Sequence, residues 1–132
     1  MAYSADVKRW ISEMAKYLRA QWGLDDAFSE KVALFYLYLA QYGLSPVITS
    51  GFRSAEKQKE LAARYQAGDR SVVVKPAENS KHSTTGFLGQ PAAEAIDIST
   101  NNRELAARIA RALNIGAGFY FNTPDGVHFY SV

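Results

Sequence analysis

The 132-residue sequence has no cysteine and only two histidines, His82 and His128. The missing cysteines exclude disulfides, thiol catalysis, cysteine-ligated zinc and iron–sulfur clusters, and they fit an oxidising or a reducing compartment equally. With so few soft ligands, any metal site must be oxygen-rich or combine histidine with carboxylate. Long apolar runs are missing too, since nothing approaches the roughly 20 residues of a membrane helix, and no membrane partner is expected. The opening MAYSADVKRW carries charges and a tryptophan where a secretory signal has its apolar stretch, so no signal peptide is expected. An excess of one charge is also absent. Lys and Arg outnumber Asp and Glu by 15 to 13, giving a net charge of +2. These charges are interspersed along helix-like segments, which argues against duplex nucleic acid as a partner, because that requires several phosphates to be neutralised together. What is present, 48% hydrophobic and 21% charged residues, is ordinary globular composition in a chain long enough for one core.

Periodicity predicts an α+β fold. Val7, Trp10, Ile11, Met14, Tyr17 and Leu18 recur at helical steps from Ser4 to Trp22, with Gly23 as the stop. A second helix follows Asp25 and Asp26, is apolar nearly all round through VALFYLYLAQY, and stops at Gly43. VITS reads as a short strand, and Ser54 as the cap of a helix from Ala55 to Ala67. Val72 to Val74 reads as another strand, and Lys75 to Pro91 as a loop long enough to suggest function. AIDIS alternates, with Ala95, Asp97 and Ser99 on one face and Ile96 and Ile98 on the other. Asn101 or Asn102 caps a last helix whose predicted buried stripe is Leu105, Ile109 and Leu113. AGFYF and VHFYSV, joined through Asn122 to Gly126, read as a terminal hairpin. Helices come first and short strands last, so the expected architecture is a small antiparallel sheet with helices packed on it. One domain over 1–132 is expected, with 1–45 as supporting helices and 46–132 bearing the motifs.

Both histidines fall outside predicted helices, His82 in the polar loop and His128 on the last strand, while Asp97 projects from a strand whose other face is isoleucine. Two imidazoles and one carboxylate are a common catalytic zinc set that leaves a fourth position for water, whose pKa falls to about 7 on the metal. Such chemistry also needs a carboxylate beyond the ligands to take the proton. Asp125, three residues before His128, is suitably placed. Taken singly, each residue has a plainer role: a core histidine, a strand aspartate capping a helix, an Asp-Gly turn.

Several short motifs in order give these residues a common reading. Ser50-Gly51-Phe52-Arg53-Ser54 with Gln58, Ser80-Lys81-His82 with Gly86, Ala95-Ile96-Asp97-Ile98, and Asp125-Gly126-Val127-His128 together resemble the zinc D-Ala-D-Ala carboxypeptidase and phage endolysin family of peptidoglycan peptidases, from about Val47 to the C-terminus. The resemblance implies the hedgehog/D-Ala-D-Ala-peptidase-like zinc domain. It implies one Zn2+ held by His82, Asp97 and His128, with Asp125 as general base, and Arg53, Gln58 and Ser80 around the substrate. Arg53 would offer N–H donors to an oxyanion or a substrate carboxylate. The implied reaction is hydrolysis of peptide bonds in peptidoglycan stem peptides by a monomer, as a phage-type endopeptidase or a D-Ala-D-Ala carboxypeptidase. With no signal peptide expected, the enzyme would accumulate in the cytoplasm for release to the wall, or travel in a virion. The chain departs from the family pattern in two places. The stretch from Ser83 to Glu94 is longer than usual, which leaves Glu94 as an alternative to Asp97, and Val127 stands where many relatives have an aromatic.

Two other readings compete. Ser54-Ala55-Glu56-Lys57 matches the Ser-x-x-Lys nucleophile motif of penicillin-binding proteins and class A β-lactamases, but the companion Ser-Asp-Asn and Lys-Thr-Gly motifs are missing, and a Ser-His-Asp hydrolase is weaker still because the chain has no Gly-x-Ser-x-Gly elbow. A non-enzymatic virion or cell-wall-binding domain with a structural zinc is the alternative of a different class, and it gives Asp125 no purpose.

Overall fold

A computed structural model describes residues 3–69, 71–72 and 80–132. Helices α1 (Ala5–Trp22), α2 (Asp26–Gln41), α3 (Ala55–Gln66) and α4 (Arg103–Ala112) each begin at a side chain that takes up an otherwise unpaired backbone N–H. Ser4 accepts from Val7, Asp25 from Phe28, Ser54 from Lys57 and Asn102 from Leu105. Gly23, in the left-handed region at φ 63°, closes α1 as the sequence predicts.

The strands are β1 (Val47–Ser50), β2 (Ala95–Ser99), β3 (Ile115–Ala117) and β4 (His128–Ser131), in one antiparallel sheet ordered β1-β2-β4-β3. Four helices and this small sheet are the α+β fold that the patterning predicts. On the inner face Ile96 pairs with Phe129 across β2 and β4, and Phe129 meets Phe35 of α2 edge-to-face at 4.8 Å. One buried cluster runs from Ala15 and Leu18 of α1 through Phe28, Val32 and Leu39 of α2 to Ile98 and Ile115 of the sheet. Because side chains alternate along a strand, the residues next to this core pair, Asp97 and His128, face each other on the opposite side of the sheet.

Three expectations need correction. The buried face of α4 is Ala106, Ala107 and Ala110, with Leu105, Ile109 and Leu113 half-buried at its margin, because the alanines let the helix lie close to α2 and β3. The terminal hairpin is displaced: β3 stops at Ala117, and Gly118–Tyr120 form a 3-10 turn rather than a strand. The described part of the long loop is not irregular throughout, since it holds a 3-10 turn at Lys81–Ser83 and a pairing of Thr85 with Pro91. Of the strand expected over Val72 to Val74, only Val72 lies within the described residues, in a turn whose N–H donates to Asp69 O at 3.2 Å.

Two features bring separate segments to the outer face. A bulge between Ile48 and Ser50 sets Ser50 opposite Asp97, so β1 turns off the sheet at the level of the aspartate. The chain entering β2 is stitched to the α1–α2 junction by Ala93 N–H to Gly23 O at 2.8 Å and Asp25 N–H to Ala93 O at 2.9 Å. Glu94 N–H reaches back to Lys81 O at 2.8 Å and holds the His82 turn against the start of β2. No helix among the described residues is long and apolar enough to cross a membrane.

Candidate metal centre

Three elements converge on the outer face. Asp97 and His128 are direct cross-strand partners on β2 and β4, and His82 comes from the 3-10 turn, whose first N–H groups are capped by Ser80 Oγ. The His82 Nε2, His128 Nδ1 and Asp97 Oδ1 atoms form a nearly equilateral triangle with sides of 3.1, 3.2 and 3.2 Å. Among the described residues this is the one group of three or more His, Asp or Glu side chains able to share a metal ion. Glu94, the alternative carboxylate, is not part of it.

The triangle fits a zinc ion on two grounds. A tetrahedral ion with ligands at about 2.0–2.1 Å needs donor separations of about 3.3 Å, close to those observed. The donor chemistry fits as well. His82 Nδ1 lies 2.8 Å from the Gly51 carbonyl oxygen, which can only accept, so Nδ1 carries the proton and Nε2 presents a lone pair to the triangle. That lone pair faces a carboxylate oxygen at 3.1 Å, an arrangement that a cation between them satisfies. The side-chain exposures, 2% for His82, 12% for Asp97 and 18% for His128, leave the site open on the His128 side.

Burial pushes the Asp97 carboxyl up, but its close contacts with His128 and His82 and the charge of Arg53 outweigh it and hold the group well below the usual carboxylate range. Asp97 divides its oxygens. Oδ1 faces the imidazoles, while Oδ2 accepts from Arg53 Nη2 at 2.8 Å. Arg53 Nε donates to Ser50 Oγ at 3.0 Å, and its backbone N–H to His82 O at 2.8 Å. Arg53 therefore reaches the triangle, and the contact it makes there is with the aspartate.

The other predicted residues are placed as follows. Asp125 sits in the turn before β4, its N–H donating to Gly118 O at 2.9 Å and its carbonyl accepting from His128 N–H at 3.2 Å. Its carboxylate makes no hydrogen bond or ion pair among the described residues. A Cβ built on Gly118 would lie 3.1 Å from His128 Cβ and 3.2 Å from Asp125 Cβ, so both side chains leave the backbone around the same glycine. Gln58 is the buried residue of α3, one turn beyond the Ser54 cap. Ser80 is occupied as the cap of the His82 turn.

Sequence reasoning left three participants without an assigned place. The Gly51 carbonyl orients His82, and a main-chain acceptor leaves no signature in residue type. Gly51 itself is required by crowding, because a Cβ there would lie 2.3 Å from Trp22 O. Tyr130, stacked on His128 at 5.7 Å, follows from alternation two residues along β4. Phe121 stands 6.0 Å from the His128 ring and completes an aromatic rim. Beside the triangle, on the Arg53 side, a cleft of about 490 Å³ is lined by Ser50, Gly51, Phe52, Arg53, Lys57 and Pro91, with Trp22 and Gly23 behind them.

No family model matches the sequence, and neither does any curated protein. Solved structures do share the fold. The Serratia marcescens L-Ala D-Glu endopeptidase ChiX aligns over 100% of this chain and 90% of its own, with a TM-score of 0.57 at 16% identity. A variant of the vancomycin-resistance D,D-pentapeptidase VanY from a VanB-type cassette, in complex with Zn(II), aligns over 83% and 72%, also with a TM-score of 0.57 at 16% identity. VanYB in complex with D-alanine-D-alanine aligns over 83% and 71% with a TM-score of 0.54 at 16% identity. None is described as phage-derived, so the likeness extends to the fold and not to the phage-type part of the sequence reading.

Proposed function

We propose that this chain is a zinc-dependent peptidase of peptidoglycan stem peptides. The observation that carries the reading is the triangle of His82 Nε2, Asp97 Oδ1 and His128 Nδ1, with its 3.1–3.2 Å sides and its proton arrangement set by Gly51. Three protein donors with an open side suit catalysis, whereas structural zinc sites are closed by four. The shared fold with ChiX and VanY supports the substrate class. ChiX, matched along nearly the whole of both chains, favours an endopeptidase over a D-Ala-D-Ala carboxypeptidase.

His82, Asp97 and His128 would hold the ion, which supplies a Lewis acid for the scissile carbonyl and lowers the pKa of a water molecule at neutral pH. The residues of the chain do the rest. Asp125, whose carboxylate has no partner among the described residues and whose backbone is bonded to His128, accepts the proton of the attacking water and returns it to the leaving amine. Arg53 holds Asp97 in place by a charge-assisted bond, and because it also lines the cleft it can meet a substrate carboxylate or oxyanion there. Gln58, buried in α3, keeps the substrate-side role that the motif resemblance gives it, and Ser80 fixes the turn that presents His82.

Asp125→Ala tests the assignment. It is expected to keep one zinc per chain while turnover of purified sacculi or muropeptides falls by about 10²–10⁴. Full hydrolysis with zinc retained would refute Asp125 as the base. A zinc-loaded wild type that releases no product from any peptidoglycan fragment would favour the non-enzymatic domain.

A further inference from the structure

The segment between His82 and Asp97 is longer than the metal centre requires, and its outer part forms a small hairpin. Ala92 N–H donates to Thr84 O at 3.0 Å, and Thr85 pairs with Pro91 above it. At the tip Gly86 N–H donates to Gln90 O at 2.8 Å, and Gly89 N–H to Gly86 O at 3.0 Å. The Gln90 Oε1 atom accepts from Leu88 N–H at 2.9 Å. Gln90 folds back under the turn into space that only glycine at 86 leaves, since a Cβ there would lie 2.2 Å from Gln90 Nε2. The turn thus satisfies its own polar groups and turns its two large apolar side chains outward, Phe87 at 100% and Leu88 at 85% exposure. Nothing in the fold gains from the exposed ring, which leaves the tip free to meet a ligand.

Its position and charge indicate what it binds. At the base of the hairpin Pro91 is a wall of the cleft beside Arg53. Phe87 is four residues from Pro91, so the tip stands within about 14 Å of that wall. Residues 83–93 carry no charge, whereas an anionic lipid surface is met by Lys and Arg around the apolar tip. A stable protein interface needs a broader apolar patch than two side chains. An uncharged aromatic–aliphatic pair at the mouth of a cleft suits a neutral, amphiphilic polymer whose sugar rings offer C–H faces to an aromatic ring. We propose that Phe87 and Leu88 dock the glycan strand from which the stem peptide enters the cleft. This rests on the peptidase reading, and it makes the hairpin the element that distinguishes polymer from free peptide.

The test compares wild type with Phe87→Ser/Leu88→Ser, both zinc-loaded. Substrates are a glycan-free stem peptide, a disaccharide muropeptide and purified sacculi, and co-sedimentation with sacculi is measured separately. Both side chains are exposed, so the variant is expected to fold; circular dichroism and zinc content check this, and Phe87→Trp should behave as wild type. The expected result is a KM raised about tenfold on muropeptide and sacculi with kcat kept, weaker co-sedimentation, and unchanged turnover of the free peptide. Equal binding to sacculi by variant and wild type overturns the proposal. So does an equal loss on the glycan-free peptide, which would place the tip's effect at the metal centre. Loss of binding to phosphatidylglycerol vesicles with sacculus binding intact overturns it in favour of a membrane element. If wild type cleaves none of the substrates, the peptidase reading fails, while co-sedimentation still decides whether the tip holds the glycan.

Discussion

Gly51→Ala perturbs the orientation of His82 without touching any ligand atom. A Cβ at position 51 would stand 2.3 Å from Trp22 O and 2.8 Å from Trp22 Cβ. Ordinary contact needs about 3.5 Å, so the two segments must part by about 1 Å. Trp22 is the less free to move, since it ends α1 and its carbonyl accepts from Phe52 N–H at 2.7 Å. The displacement therefore falls on residue 51, whose carbonyl holds His82 Nδ1 at 2.8 Å. A shift of this size carries that bond beyond hydrogen-bonding range and frees the imidazole to rotate or change tautomer. Losing such an outer partner costs a metal site about 10–100-fold in affinity, or about 1.4–2.7 kcal/mol. Competition against a chromophoric chelator measures this directly, and thermal unfolding of the metal-free protein separates it from any general loss of stability. A folded alanine variant with wild-type zinc affinity would refute the reasoning, because packing alone would then suffice to aim His82.

Arg53→Gln keeps a donor near Asp97 Oδ2 but removes the charge, and should weaken zinc binding by about tenfold while leaving the helix cap at Ser54 intact; isothermal titration checks it. Zinc at 100 times its Kd should stabilise the fold by about 2.7 kcal/mol, visible as a raised Tm that a chelator reverses and that His82→Ala abolishes; a Tm indifferent to zinc would contradict the centre. Arg64 Nε bonds Asp69 Oδ2 at 2.8 Å, and this bond, with those from Ser71, lowers the Asp69 pKa to about 2. Its contribution to stability is therefore complete above the unfolded value of about 3.9 and fades as pH falls through about 2; carboxyl chemical shifts read by NMR should titrate there, and at a higher pH in Arg64→Ala, where only the Ser71 bonds remain to lower it.

The parts of the molecule visible in the sequence are those governed by local rules. The cap Ser54, the cap expected at Asn101 or Asn102 and found at Asn102, and the glycine stop at 23 bound their helices because they satisfy backbone groups of the same segment. Strand alternation sets Asp97 on the face opposite Ile96 and Ile98, and the motif order pairs it with both histidines. What escaped depends on neighbours distant in sequence. The α4 stripe is misread because burial there is decided by how closely alanine lets a helix approach, not by side-chain size. The 3-10 turn at Gly118–Tyr120 replaces a strand because residue 118 must pass against Asp125, where a Cβ would come within 2.5 Å of the Asp125 carbonyl oxygen. The contact between Arg53 and Asp97 joins residues 44 positions apart, and nothing in either motif announces it.

The long segment between His82 and Asp97 was the main reason to consider Glu94 as the third ligand, and the fold shows why its length is harmless. Two of the three donors are fixed by the middle of the sheet, where Asp97 and His128 face each other across adjacent strands whatever the loops do. Only His82 depends on the segment, and it is held from both sides. Its turn is capped by Ser80, its carbonyl accepts from Arg53 N–H, and Lys81 O accepts from Glu94 N–H. Beyond these anchors the chain closes on itself at Thr84 and Ala92, so the added residues form a separate hairpin and impose no strain on the turn. Lengthening such a closed loop costs little, because closure entropy grows only with the logarithm of its length. Glu94 takes no part in the triangle because its backbone belongs to the clamp: its N–H holds Lys81 O and its carbonyl accepts from Ser131 N–H at 2.8 Å, tying the His82 turn to the edges of β2 and β4. The insertion is thus free to acquire a function of its own at the rim of the cleft while the geometry of the centre stays set by the sheet.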